Sequence, residues 1–264
     1  MLEVGGEALV LTHDMLVEGV HFPPGSDPAD IAWKLVTVNL SDLAAKGAQP
    51  LGVLLGYMLG DDDTRFVEGL EDALGRYGVP LLGGDTSSGG PPRSFGLTAI
   101  GRATHNPVPS RSGAMAGDAL FLTGPVGAAM MGYGALRGGT GADSSAYLRP
   151  VPRLAEGQAL APLVSAMMDV SDGVLLDSAR MARASGVTMA IDSAAVPIAA
   201  PEERRQDALR WGDDYELLFT GPPDAELPVP AHRIGEVRER SAAPILLDGM
   251  ELSEADGLGY EHSQ

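Results

Sequence analysis

"DPADIAWKLVTVNLSDLAAKGAQPLGVLLGYML", residues 27–59, contains both element types from which the rest of the chain is built. Asp27, Pro28 and Asp30 read as a helix start, with an acid at the cap and proline at the first helical position. Ile31, Leu35 and Val38 share one face, which predicts a helix with a buried apolar stripe. The next position on that stripe is Asp42. A buried carboxylate is costly unless paired or metal-bound. Lys46, four residues on, is one partner within reach, and a metal ion is the other. Gly47 reads as a left-handed cap, and Leu51 to Leu59 as a strand.

Upstream, in "LVLTHDMLVEGVHFPP" (9–24), residues Ala8 to Leu11 predict a strand that Thr12, His13 and Asp14 interrupt. Glu18 reads as a solvated loop charge. Downstream, Asp61 to Tyr77 predicts a second amphipathic helix carrying Phe66, Leu70 and Leu74, with Asp61, Asp62 and Asp63 complementing its dipole. Val79 to Leu82 and Phe95 to Arg102 predict further strands. "PSRSGAMAGD" (109–118) is polar and aperiodic, and Ala119 to Leu122 opens a second strand and helix series ending near Tyr260. The expectation is an α/β fold with mixed sheets in two domains, 1–113 and 114–264, with a ligand cleft between them.

The 264 residues carry 36 acids against 18 Lys plus Arg, a net charge of -18, and no cysteine. Sequence-independent nucleic-acid binding needs clustered basic residues and is excluded. Disulfides, thiolate zinc sites and cysteine nucleophiles are excluded as well. No apolar run approaches the roughly 20 residues of a membrane helix. The N-terminus has no secretory pattern, so a cytoplasmic protein is expected.

Acids beside Gly, Ser or Thr recur at the ends of apolar runs: "LTHD" (Asp14), "NLSDLAAKGA" (Asp42), "LLGGDT" (Asp85) and "MMDVSDGVLLD" (Asp169 and Asp172). Each alone is ordinary turn chemistry. Together they suit Mg²⁺, which favours carboxylates combined with phosphate oxygens. Backbone N–H groups at the helix start after "DVSDG" favour an anion, and glycines in "LLGGDT" permit close approach of a phosphate. P-loop, dinucleotide-binding, kinase-motif and nucleophile-elbow signatures are absent. By elimination, the chemistry expected is phosphoryl transfer from a polyphosphate held by several Mg²⁺ ions.

The ordered set "HDMLVEGVHF", "NLSDLAAKGAQPLG", "LLGGDT", "SRSGAMAGD", "YLRPVPRLAEG", "DVSDGVLLD", "GDDYELLFT" and "IGEV" closely resembles the thiamine-monophosphate kinases, from about residue 8 onward. The resemblance implies an aminoimidazole-ribonucleotide-synthetase-like fold whose N-terminal domains pair their sheets in a homodimer, with ATP between the two domains. It implies transfer of the ATP γ-phosphoryl group to thiamine monophosphate, giving thiamine diphosphate, with no protein nucleophile. Carried over, Thr12, His13, Asp14, Asp42, Asp85, Asp169 and Asp172 hold Mg²⁺. Gly84, Asp85, Arg111 and Ser171 contact ATP, and His21, Asp213 and Tyr260 contact the substrate.

The sequence departs from the family pattern in three places. The family's N-terminal helix and its Gly-Asp-Asp motif fall before this sequence begins. His13 stands where the family has Thr, and Asp213 where it has Glu, one methylene longer. Two alternatives accompany the kinase expectation: a low-activity or inactive nucleotide-binding homologue, and another ATP-dependent synthetase of the same superfamily.

Overall fold

A computed structural model describes residues 1–260; residues 261–264, His262 among them, lie outside the described residues. The first half comprises β1 (Leu2–Val4), β2 (Glu7–Val17), α1 (Pro28–Ala44), β3 (Ala48–Leu59), α2 (Asp63–Tyr77), β4 (Leu81–Ser88) and β5 (Ser94–Ala103). Its strands lie in the order β1-β2-β5-β3-β4. Helices α1 and α2 cover one face, burying Val10, Leu16, Leu35, Val53, Phe66, Phe95 and Leu97. The opposite face leaves Leu11, Met15 and Leu54 exposed.

The Asp27 carboxylate accepts the Ala29 N–H at 2.9 Å, the expected helix cap. Asp63, not Asp61, opens α2, accepting the Gly60 N–H at 2.8 Å. Strand β2 does not stop at Leu11. It stays in register with β5 through Thr12↔Ala99, His13↔Thr98 and Asp14↔Leu97. Only one face of this sheet is covered, so polar residues in alternate positions do not break the strand. For the same reason β4 runs on through "GGDTSS" as an edge strand parallel to β3. Glu18 is likewise no solvated loop charge. Its carboxylate accepts the Arg93 N–H at 3.1 Å while its own N–H reaches the Arg93 carbonyl at 2.9 Å.

The second half comprises β6 (Ala119–Leu122), α3 (Ala128–Gly138), α4 (Ser145–Leu148), α5 (Leu154–Leu160), β7 (Ala166–Asp169), α6 (Val174–Ser185), β8 (Val187–Ile191), α7 (Arg205–Ala208), β9 (Leu217–Gly221), β10 (His232–Glu239), β11 (Ile245–Leu247) and β12 (Met250–Leu252). The strand order is β12-β11-β8-β10-β6-β9-β7. Helix α6 packs into a core with Val170, Met189, Ile234 and Ile245. A second core joins the halves: Phe121, Met167, Phe219 and Leu160 meet Ala44 and Ala45 at the end of α1. Gly157 of α5 passes so near this point that a Cβ there would stand 2.0 Å from the Ala44 carbonyl oxygen. Helix α1 is thereby fixed with its last turn against β7.

Candidate active site

A cavity of about 530 Å³ lies between the halves, and Asp14, Asp42, Asp169 and Asp172 all line it. Strand alternation turns Thr12 and Asp14 toward α1, while Ser41 and Asp42 come from the last turns of α1 and Asp169 ends β7. Hydrogen bonds fix three of these acids in place. The Thr12 hydroxyl donates to Asp42. The Asp14 N–H donates to Asn39 Oδ1 at 3.0 Å, and the Asn39 amide is anchored on the Leu35 carbonyl at 2.9 Å. The Ser41 hydroxyl donates to Asp169 at 2.6 Å.

Burial, followed by the charges of Asp42 and Asp172, pushes the Asp14 carboxyl up to about 6. Burial, then Asp42, pushes Asp169 up to about 8. Like charges are thus crowded here with too little cation to balance them, the condition a hard divalent ion relieves. Lys46 lies near enough to feel both Asp169 and Asp42, but burial and Arg111 lower its own affinity for a proton. Asp42 therefore has the neighbour expected four residues on, while its direct hydrogen bond comes from Thr12.

Asp172 is paired with Arg180, whose guanidinium also reaches Asp177 at 2.9 Å. Asp177 is fully buried in the first turn of α6 and accepts the Ser171 and Asp172 N–H groups at 3.1 and 3.0 Å. Two of the backbone donors expected to meet an external anion here, those of Ser171 and Asp172, are thus satisfied from within the chain. Ser171 lines the cavity with its side chain still on offer.

At the other end, His21 Nδ1 accepts the Val17 N–H at 3.0 Å, which leaves the ring proton on Nε2. Asp213 has a left-handed backbone, φ 64°, and its N–H is bound to the Ser171 carbonyl at 2.8 Å. Its carboxylate accepts from Lys34 and from the Tyr215 hydroxyl, both at 3.0 Å. The Tyr260 N–H donates to the Asp172 carbonyl at 3.0 Å, which brings Tyr260 to the cavity wall. Tyr133 stands between Tyr147 and Trp211, with ring centroids 5.1 and 5.4 Å away. These aromatics, Lys34, Asn39, Asp177 and Arg180 were not singled out by sequence. The sequence signal for each is no more than a polar or aromatic residue in a helix or, for Trp211, in a loop.

Other expected residues lie elsewhere. His13 projects to the uncovered face of its sheet, against Thr98 Oγ1 at 2.9 Å, and does not join Asp14. Asp85 pairs with Gly56, and β5 and β3 separate its strand from β2. Three strand spacings put it about 14 Å from Asp14. Gly84 has no room for a side chain, since a Cβ would stand 2.1 Å from the Leu55 carbonyl oxygen. Arg111 lies in the connection beside β7, where Ser110 accepts the Met167 N–H at 2.9 Å. Among the described residues no three His, Asp or Glu side chains converge tightly enough to hold an ion unaided. Mg²⁺ commonly takes only one or two carboxylates together with phosphate oxygens and water, so the set Asp14, Asp42 and Asp169 fits it in company with a polyphosphate.

Residues 1–103 match the N-terminal domain model of AIR synthase related proteins, and residues 115–244 match the C-terminal domain model. A thiamine-monophosphate kinase of Salmonella typhimurium is 35% identical over 97% of this chain and 87% of its own length. The Escherichia coli protein of the same name is also 35% identical, with the same coverage. Among solved structures, thiamine-monophosphate kinase from Stenotrophomonas maltophilia superposes with a TM-score of 0.85 at 33% identity, over 94% of this chain and 87% of that one. AaThiL complexed with AMPPCP and TMP gives 0.86 at 28% identity, over 95% and 87%. The hydrogenase maturation protein HypE in complex with ATP shares the fold at 20% identity. On its sequence and its architecture, the chain belongs to the thiamine-monophosphate kinase family.

Proposed function

We propose that the protein is a cytoplasmic kinase that transfers the γ-phosphoryl group of ATP to thiamine monophosphate, giving thiamine diphosphate. The observation that carries this reading is the crowding of Asp14, Asp42 and Asp169 on one wall of a cavity whose far end is aromatic. One end suits a metal-bound polyphosphate, and the other suits a flat organic cation. Relatives with this name at 35% identity favour the kinase over a synthetase of the same superfamily.

In this reading Thr12, Asp14, Asp42, Asp169 and Asp172 hold Mg²⁺, which supplies neutralisation of charge at the phosphates when bound. Ser171 and Arg111 meet ATP. His21 meets the substrate phosphate, and Asp213 and Tyr260 border the thiamine moiety. No side chain attacks: the chain aligns acceptor phosphate and donor in line and keeps water from the cleft between residues 1–113 and 114–264. Asp85, Gly84 and His13 serve a site through a homodimer, in which a second copy covers the face bearing Leu11, Met15 and Leu54 and carries its Asp85 to this acid cluster.

Incubation with ATP, Mg²⁺ and thiamine monophosphate, followed by chromatography, tests the reading. Thiamine diphosphate is expected from the wild type and none above background from Asp14→Asn. No product from the wild type, or equal product from both, overturns it.

A further inference from the structure

Lys34 is a cation on the buried side of α1, with 4% of its side chain exposed. It does not line the cavity, yet everything its ammonium touches does. Nζ lies 3.0 Å from Asp213 Oδ2, 3.5 Å from the His21 carbonyl oxygen and 3.8 Å from the centroid of the Tyr147 ring. The Tyr147 hydroxyl donates to the same His21 carbonyl at 2.9 Å. One ammonium thus gathers a loop of the first half (His21), a short helix of the second (Tyr147) and the Asp213 turn.

A buried ion pair is a weak source of stability, because desolvation offsets most of the attraction. An apolar residue at position 34 would serve the core as well. What an apolar residue cannot do is fix a carboxylate and a carbonyl at once. The Asp213 backbone is left-handed at a residue with a side chain, a conformation its surroundings must enforce. Lys34 and the Tyr215 hydroxyl occupy both oxygens of its carboxylate and set its orientation.

We propose that Lys34 is a positioning residue for the substrate end of the site, holding Asp213 and the His21 turn in the geometry that receives the phosphate ester. This rests on the kinase reading above. It deepens that reading by assigning the acceptor's binding to a residue that never touches the acceptor.

The test uses Lys34→Met, Lys34→Arg and the double variant Lys34→Met/Asp213→Asn, which restores charge balance if the single variant folds poorly. Lys34→Met raises KM for thiamine monophosphate by about ten-fold or more and leaves KM for ATP within about two-fold. Lys34→Arg recovers part of the loss. The double variant regains the melting temperature of the wild type but not its KM for thiamine monophosphate. An unchanged KM for thiamine monophosphate in Lys34→Met, or its full return in the double variant, overturns the proposal while wild-type turnover stands. A wild type that makes no thiamine diphosphate, and binds no thiamine monophosphate by calorimetry, overturns the kinase reading itself.

Discussion

Ser41 and Asp169, one from each half of the chain, meet at 2.6 Å, the Ser41 hydroxyl donating to the carboxylate at the end of β7. Both are buried. The bond ties the last turns of α1 to the acidic strand end, and it favours the charged form of an acid that burial otherwise disfavours. Ser41→Ala leaves a buried carboxylate oxygen without its donor, at a cost of about 1–3 kcal/mol. Denaturant unfolding at pH 8 is expected to show that loss, and a smaller one at pH 5, where Asp169 carries its proton.

The same acid sets a pH dependence. Asp169 sits at about 8 in the folded chain against an ordinary 3.8, Asp214 at about 7 and Asp14 at about 6, all raised chiefly by burial. Between the ordinary and the raised values the folded chain holds protons that the unfolded chain has released, so stability falls as pH rises. Metal-free protein is expected to melt lower at pH 8 than at pH 5. Asp169→Asn reduces the slope and raises the pH 8 melting temperature by roughly 2–4 °C, which is what about 1 kcal/mol does in a chain of this size. A calorimetric pH series checks both.

Asp14→Asn should move activity and stability in opposite directions. The repulsion from Asp42 and Asp172 is relieved, so the metal-free melting temperature rises. Phosphoryl transfer falls by about 100-fold or more, because the charge that would collect the cation is gone. A variant that both melts lower and turns over normally contradicts the assignment.

Arg180 neutralises Asp172 and the fully buried Asp177 together. Arg180→Met strands Asp177 in the core, and unpairing a buried ion typically costs about 3–5 kcal/mol. Arg180→Met with Asp177→Asn recovers much of this stability in denaturant titration. A double variant no more stable than the single one shows that the pair is not coupled.

Asp14 and Asp85 face opposite sides of one sheet. If their contributions meet only between copies, Asp14→Asn and Asp85→Asn are each inactive alone, yet unfolding and refolding them together restores about a quarter of wild-type turnover. Half the refolded dimers are then mixed, with one intact site of two. No recovery in refolded mixtures that contain mixed dimers puts both acids in the service of a single copy.

The sequence was legible where an acid follows an apolar run beside a small residue. That pattern marks Asp14, Asp42, Asp85, Asp169 and Asp172, and all of them except Asp85 line the cavity. Residues whose role depends on a distant partner were not legible. Lys34 reads as an ordinary helical lysine until Asp213 comes to it from 179 positions away. Asp177 looks like a helix-start acid, and nothing local says that it consumes the Ser171 and Asp172 N–H groups. Thr12 and His13 looked like the end of a strand because alternation with only one covered face cannot be told from interruption in so short a stretch. Asp85 carries the same local pattern as Asp14. Strand order, which separates them, is a property of pairing and not of composition.

Gly157 bears on how such a site diversifies. Its α-carbon approaches the Ala44 carbonyl so closely that no side chain fits between them. At this point the two halves meet main chain against main chain, with no side chain between them to repack around a larger or smaller guest. Substitution at this contact makes no room in the cavity, because no side chain stands there to be trimmed. Descendants of this chain that take bulkier acceptors must carve space from Tyr133, Tyr147 or Trp211.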